Sequence, residues 1–558
     1  MSNQATGSNV ADLHERIAAE VGDRDCIVQA DRRLTWAEVT DRTRRLAAVL
    51  RDAGLGIHGE PLGVEPWESP HDHVALYLHN APAYLEGMLG AWKARAVGIN
   101  VNYRYVATEL AYLLRDSRAR AVIVGGHFVA TLAEVLPDLP DVALVLQVDD
   151  GSGADLLPGA RWYEEALAAA TPHAPEGLSP DDRYIVYTGG TTGMPKGALW
   201  RQDDFLASCL GVTAPADEVV ARAAGRAGLA TLPCAPLMHG AAHWNAISAW
   251  MAGGTIVLPA DASRADPADI LATVERERVS SVQIVGDAFA RPLLAELGRS
   301  SPPPDLSSLR FLVSGGAILS APVKAALTEA IPGLRIIDVL GSSETGRQAV
   351  NQGSRAERRP VAEHTAEAGE AGSSSQFSPE KTAVVLSEDR ARVLTPGDPE
   401  LGWLAQAGRV PLGYLGDPDK TRATFPTVDG VRYAVAGDRV RWAADGTIEF
   451  FGRDSVTINT GGEKVFAEEV EQALTSHPGV EDALVVGRPD PRWGQEVVAV
   501  LAAGPDTGAV PDDDELKAHC RRTLAGYKVP KAFFWVDTVE RSPSGKPDYA
   551  WARRIVAG

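Results

Sequence analysis

The feature that most constrains this chain is the loop Thr188-Gly189-Gly190-Thr191-Thr192-Gly193-Met194-Pro195-Lys196-Gly197, set directly after the short apolar run Tyr184-Ile185-Val186-Tyr187. The β-prone run makes the loop a strand exit. Glycines let backbone N–H groups approach an anion closely, threonine hydroxyls add donors, and the lysine brings a mobile positive charge, so the segment suits a polyphosphate. A Walker A loop needs Gly before its Lys and Ser or Thr after it. Pro195 and Gly197 stand there instead, and that reading fails.

A chain of 558 residues is too long for one core and fits two or more domains. Residues 34–50 read as an amphipathic helix and 73–78 as a strand; 122–124 and 143–148 read as buried strands with helical patterns between them. The order recurs downstream, where 255–258, 281–285, 311–313 and 335–339 are short apolar runs separated by helical segments such as 321–331. This alternation predicts a largely parallel sheet with helices on both faces, in two stacked α/β layers. Residues 351–381 and, less strongly, 214–228 carry few large apolar side chains and read as mobile surface excursions. From Asp454 a compact α+β unit begins, with a helix at 467–474 and strands at 482–486 and 496–501.

A formal net charge of −20 argues against a nucleic-acid partner, which calls for a basic face. Cys26, Cys209, Cys234 and Cys520 lie far apart without metal-ligand pairing, so free thiols and a reducing compartment are expected. The first twenty residues show no apolar signal core, which makes the cytoplasm the default location. Residues 229–260 contain no Lys, Arg, Asp or Glu, a length that would cross a bilayer. Pro233, Pro236, His239, His243, Asn245 and Gly253-Gly254 make that stretch a poor membrane helix and favour a buried pocket wall. Peripheral membrane association and a homodimer stay open.

Four further stretches succeed the loop in order. They are Gly341-Ser342-Ser343-Glu344-Thr345-Gly346; Val435-Ala436-Gly437-Asp438 with Phe451-Gly452-Arg453-Asp454; Ile458-Asn459-Thr460-Gly461-Gly462-Glu463-Lys464-Val465; and Arg541-Ser542-Pro543-Ser544-Gly545-Lys546-Pro547-Asp548. With these segments the chain resembles the adenylate-forming superfamily of acyl-CoA synthetases, luciferases and peptide-synthetase adenylation domains. The resemblance implies an α/β fold with a large N-terminal adenylation domain, residues 1–453, of stacked α/β layers with a small β subdomain. A small mobile C-terminal α+β domain, residues 454–558, would come after a hinge at Asp454. ATP, Mg2+ and CoA are implied, with a carboxylic acid as the small-molecule partner.

Activating a carboxylate with ATP brings two anions together and develops charge around the α-phosphate, so cations are required. By resemblance, Thr188, Gly189, Gly190, Thr191, Thr192, Gly193 and Lys196 cradle the phosphates, and Glu344 holds Mg2+ with Thr188 alongside. Asp438 and Arg453 take the ribose through acceptor and donor groups. Gly315, Gly316, Ala317, Asp338, Val339, Leu340 and Gly341 form the adenine slot, and Ser342 and Ser343 also bind the nucleotide. Lys546, Glu344 and His239 are the catalytic candidates, Lys546 reaching the junction of carboxylate and α-phosphate and His239 lying beside the acyl and thiol sites. His243, Trp244, Asp287 and Phe289 shape the acyl cavity. Gly461, Gly462 and Lys464 belong to a turn that swings in for thioester formation, and Lys528 sits where relatives contact CoA. The bland alternatives are solvated positions for Glu344, Lys528 and Lys546 and core packing for His239, Trp244 and Phe289.

Two positions depart from the pattern: Leu340 stands where many relatives carry a stacking tyrosine, and Asn459 where many carry a lysine. The stretches 100–105, 286–292 and 542–549 look closest to the fatty-acid and steroid-side-chain CoA ligases, which implies a bulky apolar acid. The reading is an acid:CoA ligase that forms acyl-CoA, AMP and pyrophosphate through an acyl-adenylate. Its alternatives are an adenylating enzyme that serves an amine or a carrier-protein thiol, and a non-catalytic nucleotide-binding relative.

Overall fold

The computed structural model describes residues 7–557 except 189–193, 318, 353–374, 461–462, 491–492, 505–509, 525 and 543–544; for 352, 375–376, 453, 455, 459 and 463–464 only the backbone is described. Two α/β layers carry the N-terminal part. One is a parallel sheet in the order Val97–Asn100, His73–Tyr77, Ala119–Gly125, Leu144–Val148, Arg161–Trp162. All five residues of His73–Tyr77 are buried, as a parallel strand covered on both faces requires. The other is a sheet of 15 strands among the described residues. Its parallel part runs Asp25–Gln29, Thr255–Leu258, Ala230–Pro233, Ser281–Ile284, Phe311–Gly315, Arg335–Ser342.

Beyond Ser342 the sheet turns antiparallel, through Gly346–Gln352, Ser375–Pro379, Ile448–Arg453, Asp438–Trp442 and Gly402–Ala407. The expectation of a largely parallel sheet therefore holds only up to Ser342. The hairpin turn there leaves no room for a crossover helix, and the antiparallel strands build the β subdomain, with its own core of Phe377, Val385, Leu404, Val440 and Ile448.

Local chemistry sets several boundaries. The first long helix is Trp36–Asp52, not 34–50, because Thr35 and Glu38 form a capping box and Leu34 belongs to the strand Arg32–Thr35. Residues 214–228 are not an excursion. They form the helix Ala216–Gly225, whose Val219 and Ala223, one turn apart, are buried against the core. Of 351–381, the strand Ser375–Pro379 is part of the sheet and Phe377 is buried; 353–374 lie outside the described residues. The uncharged stretch 229–260 folds as strand, helix Gly240–Met251 and strand, and no helix among the described residues is long and apolar enough to cross a membrane. The four cysteines are free and buried.

The C-terminal domain is a five-stranded sheet with helices Ala467–Thr475, Asp513–Cys520 and Tyr549–Ala557. Each of its faces has its own apolar cluster, one around Val470, Leu474, Val485 and Leu501, the other around Leu484, Val498, Val500 and Trp551. Glu471 is buried in this domain, accepting from Val485 N at 2.9 Å and Tyr549 Oη at 3.3 Å. Burial and, after it, the charge of Glu468 push its carboxyl up to about 8. The fold thus keeps a proton that the unfolded chain releases in the ordinary glutamate range, so stability falls as pH rises from that range to about 8. Glu471→Gln is expected to match the wild type near pH 5 and to unfold at a higher temperature than it above about pH 8. Melting curves across that window check this, and parallel curves for the two proteins would refute it.

Candidate active site

The strands Arg183–Thr188 and Lys196–Arg201 form a hairpin in which Thr188 and Lys196 face each other as Cα partners. Gly189, Gly190, Thr191, Thr192 and Gly193 lie outside the described residues. A third strand, Gly413–Tyr414, adds to the hairpin edge, Tyr414 opposite Ala198. The next turn brings Asp417 back to Lys196, and the two side chains form an ion pair. Asp417 also caps the helix Pro418–Thr424, its Oδ1 accepting from Lys420 N at 2.9 Å. Burial alone would raise the Asp417 pKa, but the hydrogen bonds from Lys196 and Lys420 N outweigh it and hold the carboxyl below its ordinary value.

The same short strand reaches Glu344. Tyr414 Oη donates to Glu344 Oε1 at 2.9 Å, while Trp200 Nε1, on the hairpin, donates to Ser343 O at 3.0 Å. Burial and then Glu344 raise the Tyr414 hydroxyl above its ordinary value, which keeps it a donor. Glu344 sits in the hairpin turn between Arg335–Ser342 and Gly346–Gln352, so the strand runs three residues beyond the Val339 end expected. Gly341 is required there, because a Cβ on it would lie 2.2 Å from Gly346 O.

Asn100 ties this hairpin to the histidine segment. Its side chain bonds Tyr187 O at 2.8 Å and Tyr187 N at 2.7 Å, and donates to Met238 O at 2.7 Å. His239 comes next as the N-cap residue of Gly240–Met251. Its Nε2 is buried without a hydrogen-bond partner among the described residues, and burial, then Lys546, then His243 lower the imidazole to about 3. His239 therefore stays neutral at physiological pH.

Lys546 comes to the same place from the C-terminal domain. Gly316, at φ +92°, would with any side chain meet Lys546 Cε at 3.6 Å and Val285 Cγ1 at 3.8 Å, so the lysine stem lies over a glycine beside Val285. Gly316 succeeds Gly315, which pairs with Val339 on the strand that leads to Glu344. Asp438 and Arg453 are direct Cα partners across an antiparallel strand pair, and Asp438 is 1% exposed. The Arg453 side chain is not among those described.

Several expected site residues make contacts of their own in the fold. Asp338 is buried with its carboxylate bound by Lys324 Nζ at 2.7 Å, which ties the strand to the helix Ala321–Ala330. Leu340 packs on the β-subdomain core and Ala317 against the main core. His243 is a core residue: Nδ1 donates to Leu237 O at 2.8 Å, Nε2 accepts from Tyr184 Oη, and burial lowers it to about 4. Trp244 donates to the same Tyr184 oxygen at 2.6 Å and remains half-buried. Asp287 receives Ser320 N and Oγ at 2.8 and 2.7 Å, and Phe289 packs beneath Gly545. Both line a crevice of about 400 Å³ between the lobes. Lys528 is paired with Glu469 at 2.7 Å. Gly461 and Gly462 lie outside the described residues, as does the side chain of Lys464.

The residues that sequence reasoning missed are Tyr414 and Asp417, which hold Glu344 and Lys196, and the bonding role of Asn100. Asp417-Pro418 was a legible signal, an N-cap with proline at the first helical position. Nothing in the sequence told which lysine it would meet.

A large α/β domain with the hairpin that carries Thr188 and Lys196, the turn that carries Glu344, and a lysine reaching it from a small C-terminal domain defines an adenylate-forming architecture. The chain belongs to the AMP-binding enzyme family: that family's pattern matches residues 14–414, and the pattern of the AMP-binding enzyme C-terminal domain matches 469–546. It is 46% identical to the medium-chain acyl-CoA ligase Mig of Mycobacterium avium, over 99% of each chain. It is 38% identical to the 3-oxocholest-4-en-26-oate--CoA ligase of Rhodococcus rhodochrous, over 98% of this chain and 95% of that one. The crystal structure of the anthranilate CoA ligase AuaEII in complex with anthranoyl-AMP superposes with a TM-score of 0.79 at 23% identity, covering 99% of this chain and 98% of that one, a likeness of fold.

Proposed function

We propose that this chain is a cytoplasmic acid:CoA ligase that takes a bulky apolar acid, fatty or steroid-type, with ATP and CoA to acyl-CoA, AMP and pyrophosphate. The carrying observation is the run of contacts Lys196–Asp417, Asp417–Tyr414 and Tyr414–Glu344 on one side and, on the other, Lys546 over Gly316 with its charge felt at His239, next to the Met238 that Asn100 holds. In the first step a carboxylate oxygen attacks the α-phosphorus, the bond to the bridging oxygen breaks, and pyrophosphate leaves. Lys546 neutralises charge where the two anions meet, and Lys196, on the phosphate hairpin, exchanges Asp417 for phosphate oxygens. The sugar lies against Asp438 and Arg453. Glu344, a half-buried oxygen donor oriented by Tyr414, and the Thr188 hydroxyl suit Mg2+, which when bound would neutralise phosphate oxygens. In the second step the CoA sulfur attacks the acyl carbon and AMP leaves, with the C-terminal domain turned about Asp454. The reading of the acid is supported by the activities that name the medium-chain and steroid-acid ligases to which the chain is similar.

Aromatic, medium-chain, long-chain and steroid acids scored by AMP release with CoA present test this. Turnover of the apolar acids with CoA is expected, and turnover of aromatic acids alone would overturn the acid class. Hydroxylamine in place of CoA separates an amine acceptor. Tyr414→Phe keeps the ring but deletes a hydrogen bond to a charged group, and acid-dependent pyrophosphate release is expected to fall about 10-fold.

A further inference from the structure

Lys546 rides on a short turn whose shape is set from behind. Arg541 grips Asp482 with a fork, Nε to Oδ2 at 2.7 Å and Nη2 to Oδ1 at 2.5 Å. Its remaining nitrogen, Nη1, donates to Gly545 O at 3.3 Å, beside the lysine. Arg541 also bridges Pro547 as an antiparallel partner, Ser542 N donates to Lys546 O at 2.8 Å, and Lys546 N donates to Ser542 Oγ at 3.1 Å. The side chains of Arg541 and Asp482 keep only 20% and 27% exposure, so this is not an open surface pair. Burial would lower the Arg541 pKa, yet the hydrogen bonds and charge of Asp482 leave it raised. On its far side the turn seats Gly545, at φ +74°, against Val285 O, Ala288 and Phe289 of the large domain.

We propose that Arg541 and Asp482 are positioning residues for adenylation: the bidentate pair braces the turn so that Lys546 reaches the cleft at Gly316 and His239. The inference rests on the ligase reading, in which Lys546 serves the first half-reaction only. A brace of this kind acts through geometry, and a misplacement of about 1 Å costs about 10²-fold in rate. The second half-reaction, which does not use Lys546, leaves it idle.

Acid-dependent ATP–pyrophosphate exchange and CoA-dependent consumption of supplied dodecanoyl-AMP are measured on the full chain for wild type, Arg541→Met, Arg541→Lys and the isosteric Asp482→Asn. Arg541→Met is expected to lose about 30- to 100-fold in exchange and less than about 3-fold in dodecanoyl-AMP consumption, with Asp482→Asn losing about 10-fold in exchange alone. Arg541→Lys, which restores one charged contact, is expected to recover part of the loss. Unchanged exchange in both Arg541→Met and Asp482→Asn, or equal losses in the two half-reactions, would overturn the brace. A wild type without acid-dependent exchange would instead overturn the ligase reading itself.

Discussion

Lys546→Ala is expected to lower acyl-adenylate formation by about 10³-fold while CoA transfer from a presupplied acyl-adenylate stays within about 3-fold of wild type. The lysine stem crosses the lobe boundary to lie over Gly316, and its charge is felt at His239. Lys546 is exposed here, and its ammonium, at the point where a carboxylate approaches a phosphate, stabilises more once bound substrates exclude water than it would in open solution. The substitution shortens a side chain without touching the brace from Arg541, so the turn itself remains. Acid-dependent pyrophosphate release measures the first half and thioester formation from the adenylate measures the second. Near-normal pyrophosphate release would remove Lys546 from the reaction, and equal loss in both halves would make its role structural.

Glu344→Gln is expected to reduce adenylation by about 10²-fold, again with a smaller loss in the CoA step. Glutamine keeps the length of the side chain and still accepts from Tyr414, so the turn at 341–346 holds its shape while the negative charge disappears. On the proposed reading the charge matters only while a triphosphate and its cation occupy the cleft. Calorimetric titration with ATP in Mg2+ gives a readout apart from turnover, and weaker binding is expected. Unaltered binding together with unaltered pyrophosphate release would return Glu344 to an ordinary loop carboxylate.

The fold was legible where local chemistry is strong. Short apolar runs buried on both faces, such as 73–77 and 255–258, can only be inner strands, and helices with capping signals fall between them. The errors have local causes too. Residues 214–228 looked too polar to pack, but Val219 and Ala223 one turn apart suffice for a docked helix. The change to antiparallel pairing after Ser342 leaves little trace in composition, because it depends on how tightly one hairpin turns.

The sequence by itself determined the α/β layering, the α+β unit beyond Asp454 and where the glycine-rich and charged segments lie, because these depend on periodicity and residue type over a few neighbours. Only the tertiary structure decided the partners: Asp417 for Lys196 across 221 positions, Tyr414 for Glu344 across 70, and Asn100 for Tyr187 and Met238 across 87 and 138. Side chains so far apart carry no mutual signal along the chain. Their meeting is set by which strands pair and where each layer closes over the next.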